Sequence, residues 1–243
     1  MTVAGRITYA AIMMAAVAAA VWLSRGRQAR LGLTVWQRVM VGLGGFTGAF
    51  LSAKLPFFLS YVVDGDWPAV LSGRALFSDG KTIMLGLAGG YAGVEFGKWY
   101  SGVKVSTGDS FAVSIPVAVA IGRLACFTNG CCHGIATSLP WGVDFGDGIV
   151  RHPTQIYESL FHLGCAAVLA SLRRDGMLAG HLFKLYLLAY SFYRFATELI
   201  RPEAKLWGGW TGYQWAAVVM IVVFGALWWH QSRGGQRDAE AIG

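Results

Sequence analysis

The sequence predicts an all-α integral membrane protein with about seven transmembrane helices, its N-terminus outside and its C-terminus cytoplasmic. Three observations carry that expectation. Of 243 residues, 55% are apolar and only 14% charged, where a soluble domain carries roughly a quarter charged. Apolar stretches recur at lengths that cross a hydrocarbon core, which takes roughly 17–25 helical residues. Lysines and arginines divide unevenly between the connecting loops, as loop charge does in membrane proteins. Lipid offers no partner to exposed backbone groups, so such segments are helices or closed barrel strands. These are too long and too continuously apolar for barrel strands.

The expected spans are 7–24, 39–62, 82–98, 109–128, 155–171, 181–200 and 212–230. The first has the outline of a signal peptide, with Arg6 ahead of it and Ala18 to Ala20 at its end. The arginines that follow it closely, and the topology, favour a retained span. The second and third carry Gly44, Gly45, Gly48 and Gly89, Gly90, Gly93. Small residues let helix backbones approach, so both runs read as packing seams. The fourth ends with Arg123 and Cys126, the fifth opens beside Arg151 and His152, and the sixth contains Tyr190 and Arg194. Trp207, Trp210, Trp215, Trp228 and Trp229 flank the last span as interfacial belts.

Seven spans put ten basic loop residues (Arg25, Arg27, Arg30, Arg38, Lys98, Lys104, Arg173, Arg174, Arg233, Arg237) on one side. Six (Arg6, Arg74, Lys81, Arg151, Arg201, Lys205) lie on the other. The richer side is cytoplasmic. The net charge of +7 therefore reads as attraction to anionic lipid. No basic stripe with interleaved aromatics appears, and no nucleic-acid partner is expected. With no repeat, low-complexity tract or soluble domain, residues 1–243 read as a single bundle. Its outer-face loops are about 63–81, 129–154 and 201–211.

Those loops hold the chemistry. An arginine inside a span faces the protein interior, a polar cavity or an anionic partner. Tyr190, Arg194 and Glu198 are spaced by four and share a helix face. Arg194 with Glu198 reads either as an internal ion pair or, together with Arg123, as a grip for an anionic headgroup. A guanidinium holds a phosphate through two parallel hydrogen bonds. Cys126, Cys131, Cys132 and His133 form a Cys-x4-Cys-Cys-His run. Adjacent cysteines seldom ligate one ion, and zinc wants four ligands, so no metal and no cofactor are expected. The three thiols read as a disulfide pair or as reactive thiolates beside Arg123. Cys165 reads as a small buried apolar residue, and His162 and His181 as packed or interfacial. Pro153, Thr154, Gln155 and Glu158 read as a capped helix start.

The order Gly122-Arg-x-x-x-Phe-x-Asn-Gly130, then Leu139-Pro-Trp-Gly142, then Arg151-His-Pro-Thr-Gln-x-Tyr-Glu158 resembles the prolipoprotein diacylglyceryl transferase family. Arg6 to Tyr9, Gly89-Gly90, Tyr190 to Arg194, Glu198, Arg201-Pro-Glu203 and Gln214 extend the resemblance over most of the chain. It implies a seven-helix bundle in the bacterial plasma (inner) membrane. The implied enzyme moves diacylglyceryl from phosphatidylglycerol to the thiol of a lipobox cysteine in a secreted precursor, releasing glycerol phosphate. Its implied partners are phosphatidylglycerol, membrane lipids and those precursors. By resemblance, Arg123 and Arg194 grip and stabilise the phosphate. Tyr190 and Tyr9 position the lipid or polarise the leaving oxygen. Asn129, Arg151, Glu198 and Arg201 support the site.

The chain departs from the family pattern at three places. Ala88 stands where the family usually has a histidine before the paired glycines. Cys126 and Cys131 replace an asparagine and a glutamate, and Phe46 an arginine. His133 or His152 would then take the base role. Two alternatives follow: a divergent transferase that uses its cysteines toward another acceptor, or a non-catalytic lipid-binding protein.

Overall fold

The structure, a computed structural model, describes residues 3–77 and 82–240, without the side chains of 3, 4, 6, 77 and 234–240. The charges of Arg6, Lys81 and Arg237 used above lie outside the described residues and side chains. The fold is mostly helical, at 74%. Contacts divide it into two compact units, Gly32–Val105 and the combination of Met1–Leu31 with Ser106–Gly243.

In the first of these, α2 (Val35–Val63) starts with a capping box. The Thr34 hydroxyl accepts from the Gln37 amide at 3.2 Å, and the Gln37 side chain accepts from the Thr34 amide at 3.1 Å. Each bond satisfies a donor that the first helical turn leaves free. Two short helices, α3 (Trp67–Leu71) and α4 (Arg74–Phe77), precede α5 (Ile83–Ser101). Glycine at 102, with φ of +68°, ends α5 in the left-handed conformation that side chains disfavour.

The α2–α5 seam is the glycine contact the sequence predicts. A Cβ on Gly93 would stand 2.0 Å from the Gly44 carbonyl oxygen, and one on Gly48 would stand 2.2 Å from that of Gly89. Both obstacles are backbone, which cannot swing away. Gly93→Ala is therefore expected to destabilise by about 1–3 kcal/mol or more through overpacking. Gly42→Ala, on the partner helix α2 and with nothing within 4 Å of its Cβ, is expected to leave stability unchanged. Thermal melting of the two variants in detergent checks this. Equal melting temperatures would sink the seam argument.

The other unit contains α1 (Val3–Arg30), α6 (Gly108–Phe111), α7 (Ser114–Thr128), α8 (Thr154–Arg174), α9 (Leu182–Thr197) and α10 (Gly212–Glu240). Here α1 packs on α7, α7 on α8, and α9 on α10. Asp109 of α6 accepts from the backbone amides of Gly180 and Leu182, which satisfies donors at the start of α9. Buried Lys184 donates to the Gly180 carbonyl and the Gln231 side chain. Between α7 and α8 lies a small antiparallel hairpin, β1 (Val143–Asp144) with β2 (Val150–Arg151).

Among the described residues, four helical segments are long and apolar enough to cross a membrane: Ile7–Arg30, Val35–Val63, Gly108–Thr128 and Gly212–Arg233. The three other expected spans fall on α5, α8 and α9. Of these, α8 buries Glu158, Ser159 and His162, while α9 buries Lys184 and Arg194. Their polar faces supply the site described next.

Candidate active site

Glu158 is the hub. It projects from the second turn of α8 and is 2% exposed. Its Oε2 lies 3.1 Å from Arg123 Nη2 of α7, 3.9 Å from Arg194 Nη1 of α9 and 3.9 Å from Arg201 Nη1. The Tyr190 hydroxyl donates to its Oε1 at 2.6 Å. One turn along α8, His162 Nε2 stands 3.8 Å from Oε1, and its Nδ1 meets the Tyr186 hydroxyl at 3.1 Å.

Glu198 forms the second anchor. It pairs with Arg194 Nη2, receives the Thr211 hydroxyl at 2.9 Å, and lies 3.6 Å from Arg201 Nε. Thr211 itself shares a capping box with Gln214 at the start of α10. That box fixes the 201–211 loop against the cluster. Arg194 also stacks 4.8 Å above the Tyr213 ring, a contact that favours a guanidinium.

Two features of this cluster decide what it can do. The three guanidinium side chains are 5%, 5% and 7% exposed, and the buried carboxylates facing them are two, Glu158 and Glu198. The third carboxylate, Glu203, is 37% exposed and reaches Arg201 Nη2 at 3.9 Å from the open side, so the buried part of the cluster holds three guanidiniums against two carboxylates. In addition, Nε and Nη2 of Arg123 and Nε and Nη1 of Arg201 are buried without a hydrogen-bond partner among the described residues. Their carboxylate distances or angles make ion pairs but not hydrogen bonds. Buried charged donors without a hydrogen bond are costly, and an anion with several acceptor oxygens answers that cost.

The loop after α7 is held from α8. Gln155 Nε2 donates to the Cys131 carbonyl at 2.6 Å, and the Thr154 hydroxyl donates to the Cys132 carbonyl at 2.7 Å. These residues were expected to cap α8, but the helix start has no side-chain cap. The physical reason is that the buried loop carbonyls need donors of their own, and Glu158 is taken by arginines. The sulfurs of Cys126, Cys131 and Cys132 lie within 4.8 Å of one another. All four cysteines are free, so the structure contains no bond of the expected disulfide pair. Hydrogen bonds from the neighbouring thiols, with Arg123 and Arg201 nearby, hold the Cys132 thiol well below its ordinary value. Tyr9 on α1 is within electrostatic reach of Arg123 and all three thiols.

The structure therefore brings together Arg123, Tyr190, Arg194, Glu198 and Arg201, with Tyr9 and the thiols beside Arg123. Asn129 closes α7 as its C-cap. His152 and Arg151 have other partners. His152 Nδ1 faces the Tyr157 hydroxyl at 3.3 Å, and that hydroxyl also receives the Trp141 indole at 2.7 Å. Arg151 pairs with Asp147 at 2.6 Å across the hairpin turn and holds that carboxyl down at about 2. His133 stacks on Phe145, and Ala88 lies on α5 in the Gly32–Val105 unit. Glu158 is the site residue that sequence reasoning placed in the wrong role. Its spacing of four from His162 was the available signal.

The sequence profile of the prolipoprotein diacylglyceryl transferase family matches residues 6–230. The chain belongs to this family. Relatives named phosphatidylglycerol–prolipoprotein diacylglyceryl transferase include a Solidesulfovibrio magneticus protein, 31% identical over 79% of this chain and 76% of its own. One from Bradyrhizobium diazoefficiens is 32% identical over 78% and 69%. Another, from Nitratidesulfovibrio vulgaris, is 30% identical over 90% and 87%. No solved structure gives a significant match. For this family member, the arginine cluster falls inside the matched region, as do the glycine seam and the three-thiol loop.

Proposed function

We propose that this chain is a membrane transferase that moves the diacylglyceryl group of phosphatidylglycerol onto the cysteine thiol of a secreted prolipoprotein. The observation that carries the reading is the arginine cluster. Its three guanidiniums face two buried carboxylates, with Glu203 reaching Arg201 from the exposed side, and four of their buried nitrogens lack a hydrogen bond among the described residues. A phosphodiester brings one negative charge and oxygens that accept from such forks. Arg123 and Arg201 hold the phosphate, and Arg194, locked by Glu198, stabilises the charge that grows on it. Tyr190 and Tyr9 position the lipid. Asn129 and Arg151 line the approach from the loop side, and His152 accepts the thiol proton. As the sulfur–carbon bond forms, the glyceryl carbon–oxygen bond breaks. Its electron pair leaves on glycerol phosphate.

Seven spans suit this work, with the N-terminus outside and the C-terminus cytoplasmic in the bacterial inner membrane. The chain then forms one transmembrane domain, and loops 129–154 and 201–211 meet the secreted precursor on the outer face. The test uses vesicles of headgroup-labelled phosphatidylglycerol and a lipobox peptide. Expected are released glycerol phosphate and a peptide heavier by one diacylglyceryl group, both lost in Arg123→Ala. Headgroup release without peptide modification would move the acceptor elsewhere. Lipid binding with no release would leave a binder only.

A further inference from the structure

The three sulfurs have a use that the arginine cluster does not supply. Thiol transfer needs the acceptor thiol as a thiolate. Within the cluster, the carboxylates of Glu158, Glu198 and Glu203 are engaged by arginines, and His162 sits between Tyr186 and Glu158. The sulfurs of Cys126, Cys131 and Cys132 converge within 4.8 Å. Three sulfurs around one ion at about 2.3 Å each would stand roughly 3.8 Å apart, so closing the site asks for movement of about an ångström.

Adjacency of Cys131 and Cys132 argued against metal from the sequence. The backbone removes that objection. Cys132 has a φ of +63°, one of two positive-φ non-glycine residues among those described, and follows Gly130 at +65°. A left-handed residue with a Cβ is costly and persists where surroundings impose it. Here Thr154 and Gln155 impose it by gripping the carbonyls of Cys132 and Cys131. The turn brings two neighbouring thiols to one side, where Cys126 already points. Cys132 is exposed while Cys126 and Cys131 are half-buried, so the trio is enclosed on one side and open on the other. Arg123 and Arg201 lie within electrostatic reach of Cys132, and they offset the charge of three thiolates on one dication.

We propose that Cys126, Cys131 and Cys132 form a three-thiolate site for one thiophilic cation of the zinc class, whose open fourth position takes the sulfur of the acceptor thiol. The second half rests on the transferase reading. A thiol bound to such a cation is deprotonated outright, and the S–H proton passes to His152. The bound sulfur's electron pair then forms the bond to the glyceryl carbon, and the carbon–oxygen pair leaves with glycerol phosphate. The thioether product is a weaker ligand than thiolate and departs, reopening the position. No atom changes oxidation state.

The test uses the full chain in detergent, reduced and stripped by chelator, then titrated with cobalt(II) as a spectroscopic probe and with zinc. Expected is one ion per chain, with a sulfur-to-cobalt charge-transfer band in the near ultraviolet. Cys126→Ser, Cys131→Ser and Cys132→Ser should each weaken binding by roughly a hundredfold or more, beyond what loss of an outer-shell partner costs. Cys165→Ser, on α8 outside the trio, should bind as the parent does, and circular dichroism should find all four variants folded. A lipobox peptide should shift the cobalt spectrum, and its Cys→Ser version should not. No uptake after reduction, or uptake undiminished when all three are serine, overturns the site. Full transfer activity in metal-free protein overturns the acceptor role while leaving the transferase reading intact. Stoichiometric metal and a peptide-dependent spectrum without lipid transfer sustain the site and sink the transferase reading instead.

Discussion

Glu158→Gln is expected to lower the melting temperature on the order of 10 °C and to abolish activity. The substitution keeps the shape of the side chain and removes its charge. Three buried guanidiniums then face one buried carboxylate, Glu198. The glutamine amide nitrogen also turns a donor toward donors, while its oxygen can still receive Tyr190. Removing one partner from a buried ion pair costs about 3–5 kcal/mol because the remaining charge is uncompensated. For a chain of this size each kilocalorie is worth roughly 2–4 °C. Glu95→Gln is the contrasting change. Its ion pair with Lys98 spans one turn of α5 and is 44% exposed on the glutamate side, so about 0–1 kcal/mol is at stake. A double variant, Glu158→Gln with Arg123→Gln, should recover part of the lost stability by removing one stranded charge. Thermal unfolding in detergent reads all three. An unchanged melting temperature for Glu158→Gln would mean that the guanidiniums are already satisfied by something else, and the account of the cluster would fail.

How much of this was legible beforehand depends on whether a residue's role is set by its own helix or by another. The glycine runs of α2 and α5 were readable because a seam needs only small residues at helical spacing, and the partner's identity hardly matters. The sharing of a face by Tyr190, Arg194 and Glu198 was readable for the same reason, since the period of one helix places all three. Glu158 was misread. Within its own helix it belongs to a polar run at the helix start that looks like a cap, and only the arrival of α7, α9 and the Arg201 loop gives it another task. Thr154 and Gln155 were misread with it, because the carbonyls they serve lie more than twenty residues away, in the cysteine loop. The hairpin of Val143 to Arg151 left little periodic signal. Asp144 organises its turn by accepting from the amides of Gly146, Asp147 and Gly148, a local side-chain device without hydrophobic alternation. The convergence of Cys131 and Cys132 depends on one backbone dihedral, which no spacing rule specifies.

Arg123→Lys should separate the phosphate grip from simple charge balance. Lysine keeps the positive charge opposite Glu158, so a purely structural ion pair would survive with modest loss of stability. What it lacks is the planar fork. A single ammonium cannot present two parallel N–H groups to a phosphate. If Arg123 Nε and Nη2, buried and without a hydrogen bond among the described residues, are the donors that meet the headgroup, the variant loses a desolvated charged contact worth roughly 2–5 kcal/mol. At 1.36 kcal/mol per factor of ten, that is a fall of about a hundredfold or more in kcat/KM for phosphatidylglycerol, with the fold intact. Arg201→Lys should behave alike, since its Nε and Nη1 are in the same state. Arg194 differs. Its guanidinium is tied to Glu198 and stacked on Tyr213, so Arg194→Lys should cost stability as well as rate. The vesicle assay run beside thermal melting distinguishes the cases. Should Arg123→Lys retain nearly full activity at an unchanged melting temperature, the cluster would be a charge-balanced lock, and the headgroup would have to be held elsewhere.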